Sequence, residues 1–568
     1  MTKAPPTRWT LTLGTLLLIL SLSTGRAEAT SPATRTLPPV LTAEERAAMA
    51  EIPEDEVLED RGAIIGEVIL RRGDVFDPSR PGQDNFLFRT ANRLHVRTRE
   101  ATLENKLLFE PGEPYLGRRL AETERSLRRL DYLYDAWVVP YRYRDGAVDI
   151  LVVTRDVWTL SVGAGFERAG GENTESLSLS DSNFAGTGKF VDLKWEDDPE
   201  RSSYRLRFQD DALLGSRVEL RLLFADNSDG FRRTLDLERP FYSFDTRWSA
   251  GTRIVDDDRI SRLYADGDVI RVFRQEVDAW EVRAGLSSGY RNGRTHRFTT
   301  GWSFEEHTFS RHAEDPGRPR FFPRRIDRTI SYPWVGYELA TDRFLETRNL
   351  DQIGRTEDYN VGTQLAFRLG YSAESWGAYK DQWIFGGQLR RGLSGPGFLV
   401  QMDLFANGPY GTDGQEEDVH AGTSVETFVR NFGRHQFYGL VEAEAGWTLD
   451  AERQLLLGGE TGLRGYPRYI QTGDRRYLVT LEQRFYSDRH LFDLVYLGGA
   501  VFFDAGRAYG GPERLASRDL GWLKDVGVGL RLSSSRSSRG TMVHLDVAYP
   551  LDGDFDSIQW LVTTKESF

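Results

Sequence analysis

The strongest constraint on this chain is an alternation of apolar and polar residues that runs from about residue 160 to the end. Val191, Leu193 and Trp195, for example, alternate with charged residues, and similar triplets recur along the chain. A period of two places one apolar face and one polar face on each β-strand. The polar face is rich in charge and glycine, which is typical of a transmembrane barrel with lipid outside and a wet lumen.

The length of this region predicts the number of strands. At roughly 25 residues for each strand and its connection, residues 159–568 would form an all-β transmembrane barrel of about 16 antiparallel strands. Beyond residue 30 there is no long uninterrupted apolar run, so no transmembrane helix is expected.

The N-terminus predicts export from the cytoplasm. Two basic residues precede the apolar run 11–22, and the small residues Ala27 and Ala29 follow it. This order predicts a signal peptide over residues 1–29 that is cut after Ala29. The alternative is a membrane anchor, but the apolar run is short and interrupted by polar residues. Residues 30–60 are rich in proline and charge and predict an N-terminal tail or linker.

Composition excludes several classes of protein. The chain has 73 basic and 86 acidic residues and a net charge of -13, which argues against a nucleic-acid partner. It has no cysteine, which excludes disulfides and thiolate metal sites. The serine motif at 285–289 continues an alternating strand and is not followed by a helix, so it lacks the context of a nucleophile elbow. We therefore predict no catalytic residue, no metal site and no cofactor, and expect that the protein is not an enzyme.

Residues 61–158 predict a small α+β domain with the order β-α-α-β-β. An apolar strand at 63–70 is followed by a loosely helical stretch at 92–108 and a clearer amphipathic helix around Leu120 and Leu127. Two strands then follow, joined by Asp145 and Gly146, a dipeptide typical of tight hairpins.

Two short motifs near the C-terminus carry the candidate site. The first is a glycine-framed loop at 458–466 that presents an arginine beside an aromatic residue. The second ends a strand about forty residues later and places one carboxylate among apolar neighbours. A guanidinium in a confined site needs a carboxylate partner. The motif residues are Leu463, Arg464, Gly465 and Tyr466 in the loop, and Phe502, Asp504 and Gly506 in the strand.

In this order, the two motifs resemble those of the BamA/TamA-type outer-membrane insertase superfamily, the bacterial surface antigen barrels. The resemblance implies that the loop folds back into the barrel lumen and that Arg464 faces Asp504 on the inner wall. Glu482, on the strand between the two motifs, is the second candidate partner of the arginine. Residues 61–158 similarly resemble a polypeptide-transport-associated (POTRA) domain.

The last strand carries a third candidate signal. Trp560 and Val562 lie at alternate positions, and the chain ends at the aromatic Phe568. This pattern resembles the signal that the outer-membrane assembly machinery reads when it inserts a barrel. Glu566 departs from the pattern, because an apolar or aromatic residue is more usual there.

The resemblance implies a barrel surrounded by outer-membrane lipids, with the POTRA-like domain in the periplasm. Its expected activity is insertion or translocation of polypeptides, or of lipids, with unfolded or nascent clients engaged by the POTRA domain. A client could add as a strand to an exposed sheet edge of that domain. Three alternatives stay open: a porin-like passive channel, an exporter of the two-partner-secretion type, and a soluble secreted β-protein with an enzymatic task.

Overall fold

The computed structural model describes most of the chain: residues 37–79, 82–316, 327–350, 353, 355–411, 418–432, 435–450, 452–511, 517–537, 542–553 and 555–565. The predicted signal peptide lies outside the described residues. Helix α1 (Ala43–Ala50) belongs to a separate N-terminal unit. Its first turn is closed by a capping box, in which Thr42 and Glu45 bond each other's backbone amides.

Residues 52–157 form a small layered structure, here called the α+β unit. Its helices pack on one three-stranded sheet. The strands lie in the order β1 (Ile64–Gly73), β3 (Ala147–Asp156), β2 (Leu133–Arg144), with β1 and β3 parallel and β2 and β3 antiparallel. The buried core includes Leu58, Leu103, Leu120, Leu127 and Ile150. The elements are α2 (Asp55–Asp60), β1 (Ile64–Gly73), α3 (Phe86–Leu94), α4 (Glu100–Glu104), α5 (Gly117–Arg128), β2 (Leu133–Arg144) and β3 (Ala147–Asp156).

The helices of this unit differ from the sequence prediction. In the described part of the segment between β1 and β2 there are three helices, where the sequence predicts two. The stretch predicted as one helix over 92–108 is broken because residues 95–99 are not helical and bind the barrel, with the Arg99 amide 2.9 Å from the Gly186 carbonyl oxygen. The predicted hairpin turn is confirmed: Asp145 and Gly146 both have positive φ, as a two-residue turn of this kind requires. No helix within the described ranges is long and apolar enough to cross a membrane.

Twenty of the strands described after residue 159 form one closed antiparallel barrel. The wall strands are β4 (Leu160–Ala169), β5 (Glu172–Asp181), β6 (Lys189–Asp197), β7 (Ser202–Asp210), β8 (Glu219–Asn227), β9 (Gly230–Arg239), β10 (Trp248–Ala265), β11 (Asp268–Ser287), β12 (Arg294–Arg311), β13 (Arg328–Thr341), β16 (Thr363–Ser372), β17 (Gln382–Gly395), β18 (Phe398–Gly411), β19 (Val419–Phe432), β20 (His435–Trp447), β23 (Arg475–Leu491), β24 (Val495–Tyr509), β25 (Leu523–Ser534), β26 (Met542–Pro550) and β27 (Gln559–Lys565). Two short hairpins are not part of the wall: β14 (Phe344–Arg348) with β15 (Thr356–Asn360), and β21 (Leu455–Leu457) with β22 (Gln471–Gly473).

The predicted all-β barrel is confirmed, but the predicted count of about 16 strands is wrong. The described residues contain 20 wall strands. The early strands are short and joined by tight turns, so that residues 160–239 alone hold six strands. The assumed spacing of about 25 residues per strand was therefore too long for this part of the wall.

Alternation along the wall follows the predicted period of two. On β25, Val526, Val528 and Leu530 are exposed on the outer face, whereas Asp525 before them and Arg531 after them are buried on the inner face. An apolar outer face with a charged inner face is the pattern of a barrel whose outside contacts lipid.

The α+β unit docks on one end of the barrel, here called the near end, where β4 begins; the opposite end is the far end. Ion pairs hold this contact. Arg118 and Arg119 of α5 both bond Asp245 in the connection after β9, at 2.9 and 3.1 Å. Arg125 bonds Asp342, beyond the end of β13, at 2.9 Å. The unit therefore covers part of the near mouth.

Docking is predicted to depend on pH through Glu122. Its carboxylate accepts a 2.8 Å hydrogen bond from the Phe244 amide, and burial at this contact raises its pKa to about 6. The docked state binds the proton more tightly, so its stability is greatest below the ordinary pKa, about 4.5, and falls as the pH rises through about 6. Glu122→Gln keeps the acceptor oxygen and cannot ionise. It should stabilise the α+β unit at pH 7.5, by about 2 kcal/mol at most, and change little at pH 4.5.

Thermal unfolding of the purified full chain, followed by the helical circular dichroism signal, measures this difference. Glu104→Gln, on the exposed side of α4, is the matched control. An equal stabilisation by Glu122→Gln at both pH values would contradict the assignment of the pH dependence to Glu122.

Candidate functional site

The connection between β20 and β23, residues 448–474, is here called the arginine loop. Its base is the β21–β22 hairpin, and its tip packs against the inner faces of β23 to β26. Leu463 and Tyr466 are fully buried. They belong to one apolar cluster with Leu457 and with Leu478 of β23. Apolar burial on both sides of Arg464 therefore fixes the loop tip against the wall.

Arg464 makes the contacts that the sequence singles out. Its Nε and Nη2 donate to the two carboxylate oxygens of Asp504, at 2.7 and 3.0 Å, in a bidentate pair. Its Nη1 donates to Glu482 Oε1 at 2.8 Å. The guanidinium lies 3.4 Å from the ring centroid of Phe502, which adds a cation–π contact. The structure thus brings the two candidate carboxylates and Phe502 of the strand motif onto one arginine.

Further charged residues complete this group, here called the lumen ion cluster. Asp546 of β26 accepts from Arg464 Nη1 at 3.2 Å and from Arg531 of β25. Glu482 also accepts from Arg484 Nε at 2.9 Å. Sequence reasoning missed Asp546, Arg531 and Arg484, although each occupies the inward position of its strand. The cluster residues are Arg464, Arg484, Arg531, Glu482, Asp504 and Asp546.

Two motif glycines allow the backbone to approach this closely. A Cβ on Gly465 would lie 2.6 Å from the Asp525 Cβ, and the Gly465 amide donates to Asp525 Oδ2 at 3.0 Å. Gly506 on β24 leaves room for Leu457, whose nearest atom would be 3.1 Å from an added Cβ. The hydroxyl of Tyr466 donates to the Lys524 carbonyl oxygen at 2.8 Å. Each motif residue therefore has a packing or hydrogen-bonding role.

The arginine loop also covers part of the far end. The Arg468 amide donates to the carbonyl oxygen of Gly170, in the turn after β4, at 3.1 Å. The Arg468 side chain bonds Glu200, after β6, also at 3.1 Å. Tyr469 packs edge-on against Tyr264 at the end of β10, with ring centroids 4.7 Å apart. The loop thus joins turns from different parts of the wall across the far mouth.

A second insert enters the lumen from the near end. The β14–β15 hairpin and its flanks, residues 342–362, are here called the lumen hairpin. Leu350 and Val361 pack against Leu399, Phe428 and Tyr438 on the inner wall. These three wall residues and Glu482 are register partners in one row across β18, β19, β20 and β23. The hairpin therefore reaches the level of the lumen ion cluster.

Buried ion pairs tie the lumen hairpin to the α+β unit. Arg128 of α5 forms a bidentate pair with Asp358, with both N–O distances 2.8 Å and both side chains 4% exposed. Glu346 lies 3.2 Å from the same guanidinium but is 41% exposed. Thr356 donates a 3.0 Å hydrogen bond to Asp135 of β2. The lumen hairpin is thus bonded to the α+β unit at the near end and packed against the inner wall.

Two residues of the wall strand β23 connect the two inserts. Arg484 donates to the Leu350 carbonyl oxygen of the lumen hairpin at 3.3 Å and to Glu482, the partner of Arg464, at 2.9 Å. A continuous series of polar contacts therefore runs from the α+β unit through the hairpin to the arginine loop.

The barrel closes between its last and first strands, here called the seam. In the part of β27 and β4 that the structure describes, they pair at one register position, Val562 with Arg168. By contrast, β4 and β5 pair along their whole lengths. Trp560 lies on the outer face, stacked on Phe166 at 6.3 Å. Phe568, the third residue of the predicted assembly signal, lies outside the described residues.

Comparison with known proteins gives distant likenesses. No family model matches the chain. The heme/hemopexin transporter protein HuxB of Haemophilus influenzae is 29% identical over 126 residues, which span 21% of this chain and 21% of that protein. The aligned region is thus about a fifth of the curated relative's length.

Two solved structures similar to this chain are a CdiB and a BamA. CdiB from Escherichia coli has a TM-score of 0.43 at 13% identity, covering 94% of this chain and 92% of that one. BamA from Haemophilus ducreyi lacking POTRA domains 1–3 has a TM-score of 0.38 at 13% identity, covering 89% and 85%.

Removal of the Arg464 guanidinium should release the arginine loop. Arg464→Ala would leave buried Asp504 and Glu482 without this cation, at a cost on the order of 3–5 kcal/mol. We expect lower levels of assembled barrel and a loss of the heat-dependent shift in gel mobility. Arg453→Ala in the same loop removes a more exposed pair with Asp418 and should have little effect. Normal assembly and mobility of Arg464→Ala would refute the role of the cluster.

Loss of Asp358 should loosen the lumen hairpin. Asp358→Ala removes the bidentate partner of buried Arg128, so the hairpin should leave the lumen more often and single-barrel conductance in planar bilayers should rise. Glu346→Ala removes the exposed partner of the same arginine and should change conductance much less. Equal conductance of wild type and Asp358→Ala would show that the hairpin does not limit the pore.

Proposed function

We propose that this protein is an outer-membrane barrel that inserts or translocates polypeptides, and that the α+β unit is its single POTRA domain. The near end then faces the periplasm and the far end faces the cell exterior. The observation that carries the proposal is the seam, where the described parts of β27 and β4 pair at one position, whereas β4 and β5 pair along their whole lengths. Unpaired strand edges are costly in hydrocarbon and bind other strands.

The contents of the lumen favour this function over a passive channel. An open porin needs a continuous aqueous path. Here the arginine loop reaches across the far mouth, and the lumen hairpin fills part of the near half. A resting barrel of this kind conducts little and needs a movement of an insert, or of the seam, before a client passes.

The sheet of the α+β unit offers a place for a client to bind. The edge strands are β1 and β2. On β2, Pro140 has no amide hydrogen and the Val138 amide already donates to Glu124 at 2.7 Å. On β1, Glu67 is exposed and the strand beyond it is only partly buried. We therefore assign client strand addition to the β1 edge.

A transporter of the two-partner-secretion type is the second candidate. The observation that favours it is the match of 126 residues to a protein named as a heme/hemopexin transporter. An exporter would pass its client through the lumen, whereas an insertase would pass it sideways through the seam. The two functions therefore differ in whether the seam must open.

A reversible lock across the seam separates these functions. The chain has no native cysteine, so Arg168→Cys with Val562→Cys, at the paired position, would form a single disulfide. With an unfolded eight-stranded outer-membrane barrel as client, we expect oxidation to reduce client insertion into proteoliposomes at least tenfold and reduction to restore it. Gly163→Cys with Ser178→Cys, paired between β4 and β5, is the control and should have no effect.

Client insertion that persists in the locked barrel would overturn lateral insertion. Passage of a client into the vesicle interior through the locked barrel would favour the exporter. A steady large conductance without any client activity would favour the passive channel.

A further inference from the structure

Helix α3 is an addition to the α+β unit that its core does not need. All nine residues of α3 are described, and none of them is buried, whereas α4 and α5 supply Leu103, Leu120 and Leu127 to the core. The exposed fractions of Phe86, Leu87 and Leu94 are 72%, 72% and 71%. Water-facing apolar side chains of this size on one short helix indicate a surface that binds something.

The orientation of α3 is fixed by its packing side. Phe88 stacks on Phe76, with ring centroids 4.0 Å apart. Asn92, one turn later, exchanges hydrogen bonds with the Phe76 backbone, at 3.1 Å to its amide and 2.8 Å to its carbonyl oxygen. At 100° per residue, these two side chains share the side of the helix that faces the protein.

The opposite side of α3 is apolar and bordered by arginine. Phe86, Leu87, Thr90 and Leu94 share a sector of about 100°. Thr90 donates its hydroxyl to the Phe86 carbonyl oxygen at 2.8 Å, so its polar group is satisfied within the helix. The exposed residues Arg89 and Arg93 lie along one border of this sector.

Both flanks of α3 are attached to the near rim of the barrel, on either side of the seam. Before the helix, the Val75 carbonyl oxygen accepts a 3.0 Å hydrogen bond from Arg536, in the connection after β25. After the helix, His95 Nε2 lies 3.0 Å from Asp156 Oδ2, and the Arg99 amide donates to Gly186 in the turn after β5. The helix therefore lies beneath the strands β27 and β4 that form the seam.

The apolar belt of the barrel begins close to this point. Leu160 and Val162, at the start of β4, are 46% and 80% exposed on the outer face. Val162 follows Asp156 by six residues, a span of about 20 Å at most. Phe184, in the turn bound by Arg99, is also exposed. The flank of α3 that contacts Asp156 therefore lies close to the exposed apolar residues at the start of the wall.

We propose that α3 is an interfacial helix that binds the periplasmic leaflet of the outer membrane beneath the seam. A helix with Phe and Leu on one side and Arg at the border lies in the boundary between headgroups and acyl chains. The arginines match the negative charge of acidic phospholipid headgroups. The inference rests on the proposed membrane location of the barrel and not on what it transports.

Site-directed fluorescence in the full chain tests this placement. The cysteine-free sequence allows one label at a time: Leu87→Cys and Leu94→Cys on the apolar face, and Arg144→Cys, exposed at the β2–β3 turn, as control. In vesicles of phosphatidylethanolamine and phosphatidylglycerol, an environment-sensitive dye at the two leucine positions should be quenched by spin-labelled lipid and shielded from aqueous iodide at least threefold. The dye at position 144 should show the reverse.

Two results would overturn the proposal. One is iodide quenching at positions 87 and 94 equal to that at position 144, in barrels whose heat-dependent gel shift shows that they are inserted. The other is shielding that disappears when the ratio of protein to lipid is lowered, because a second copy of the chain would then cover α3. Failure of client insertion in the seam experiment leaves these readings unchanged, so the two proposals fail separately.

Discussion

The bidentate pair between Arg464 and Asp504 holds the arginine loop against the inner wall, and the rest of the lumen ion cluster is arranged around it. An arginine as buried as Arg464, whose side chain is 12% exposed, is stable only if carboxylates pair with it, and here they come from β23, β24 and β26. Those strands must be in register before the three carboxylates converge. The pair can therefore form only when this part of the wall is correctly assembled. The position of the loop tip therefore depends on the register of the wall strands and on the pairing of these charges.

The same cluster links the two ends of the molecule. Arg484 bonds both the lumen hairpin and Glu482, while Arg128 bonds the hairpin from the α+β unit. A movement of the α+β unit that pulls on Asp358 would thus disturb a partner of Arg464. Coupling of this kind needs two discrete arrangements of the inserts, and the buried, bidentate geometry of both arginine pairs favours discrete positions over a gradual slide.

The parts of this structure that follow local chemistry were predictable from the sequence. The period of two in the wall and the Asp145–Gly146 turn depend on neighbours in sequence, whereas the pairing of Arg464 with Asp504 was implied by the resemblance of the two motifs. Asp546 and Arg531 could not be identified in the same way, because their inward positions become meaningful only once β25 and β26 lie beside β24. The lumen hairpin could not be predicted for a related reason: only the contacts of Leu350 with the wall and of Asp358 with Arg128 place it inside the barrel.

The seam has a consequence for the order in which the chain becomes a barrel. Val562 and Arg168 are partners separated by nearly four hundred residues, so their pairing is the most non-local contact of the wall. The entropic cost of closing so long a loop is about 5 kcal/mol, because this cost grows only with the logarithm of the loop length. The short ladder between β27 and β4 offsets little of that cost, whereas a hairpin of two neighbouring strands closes only a short loop. Closure of the cylinder should therefore be its final and most reversible step, and the mature protein retains a contact that resembles the last intermediate of its own assembly.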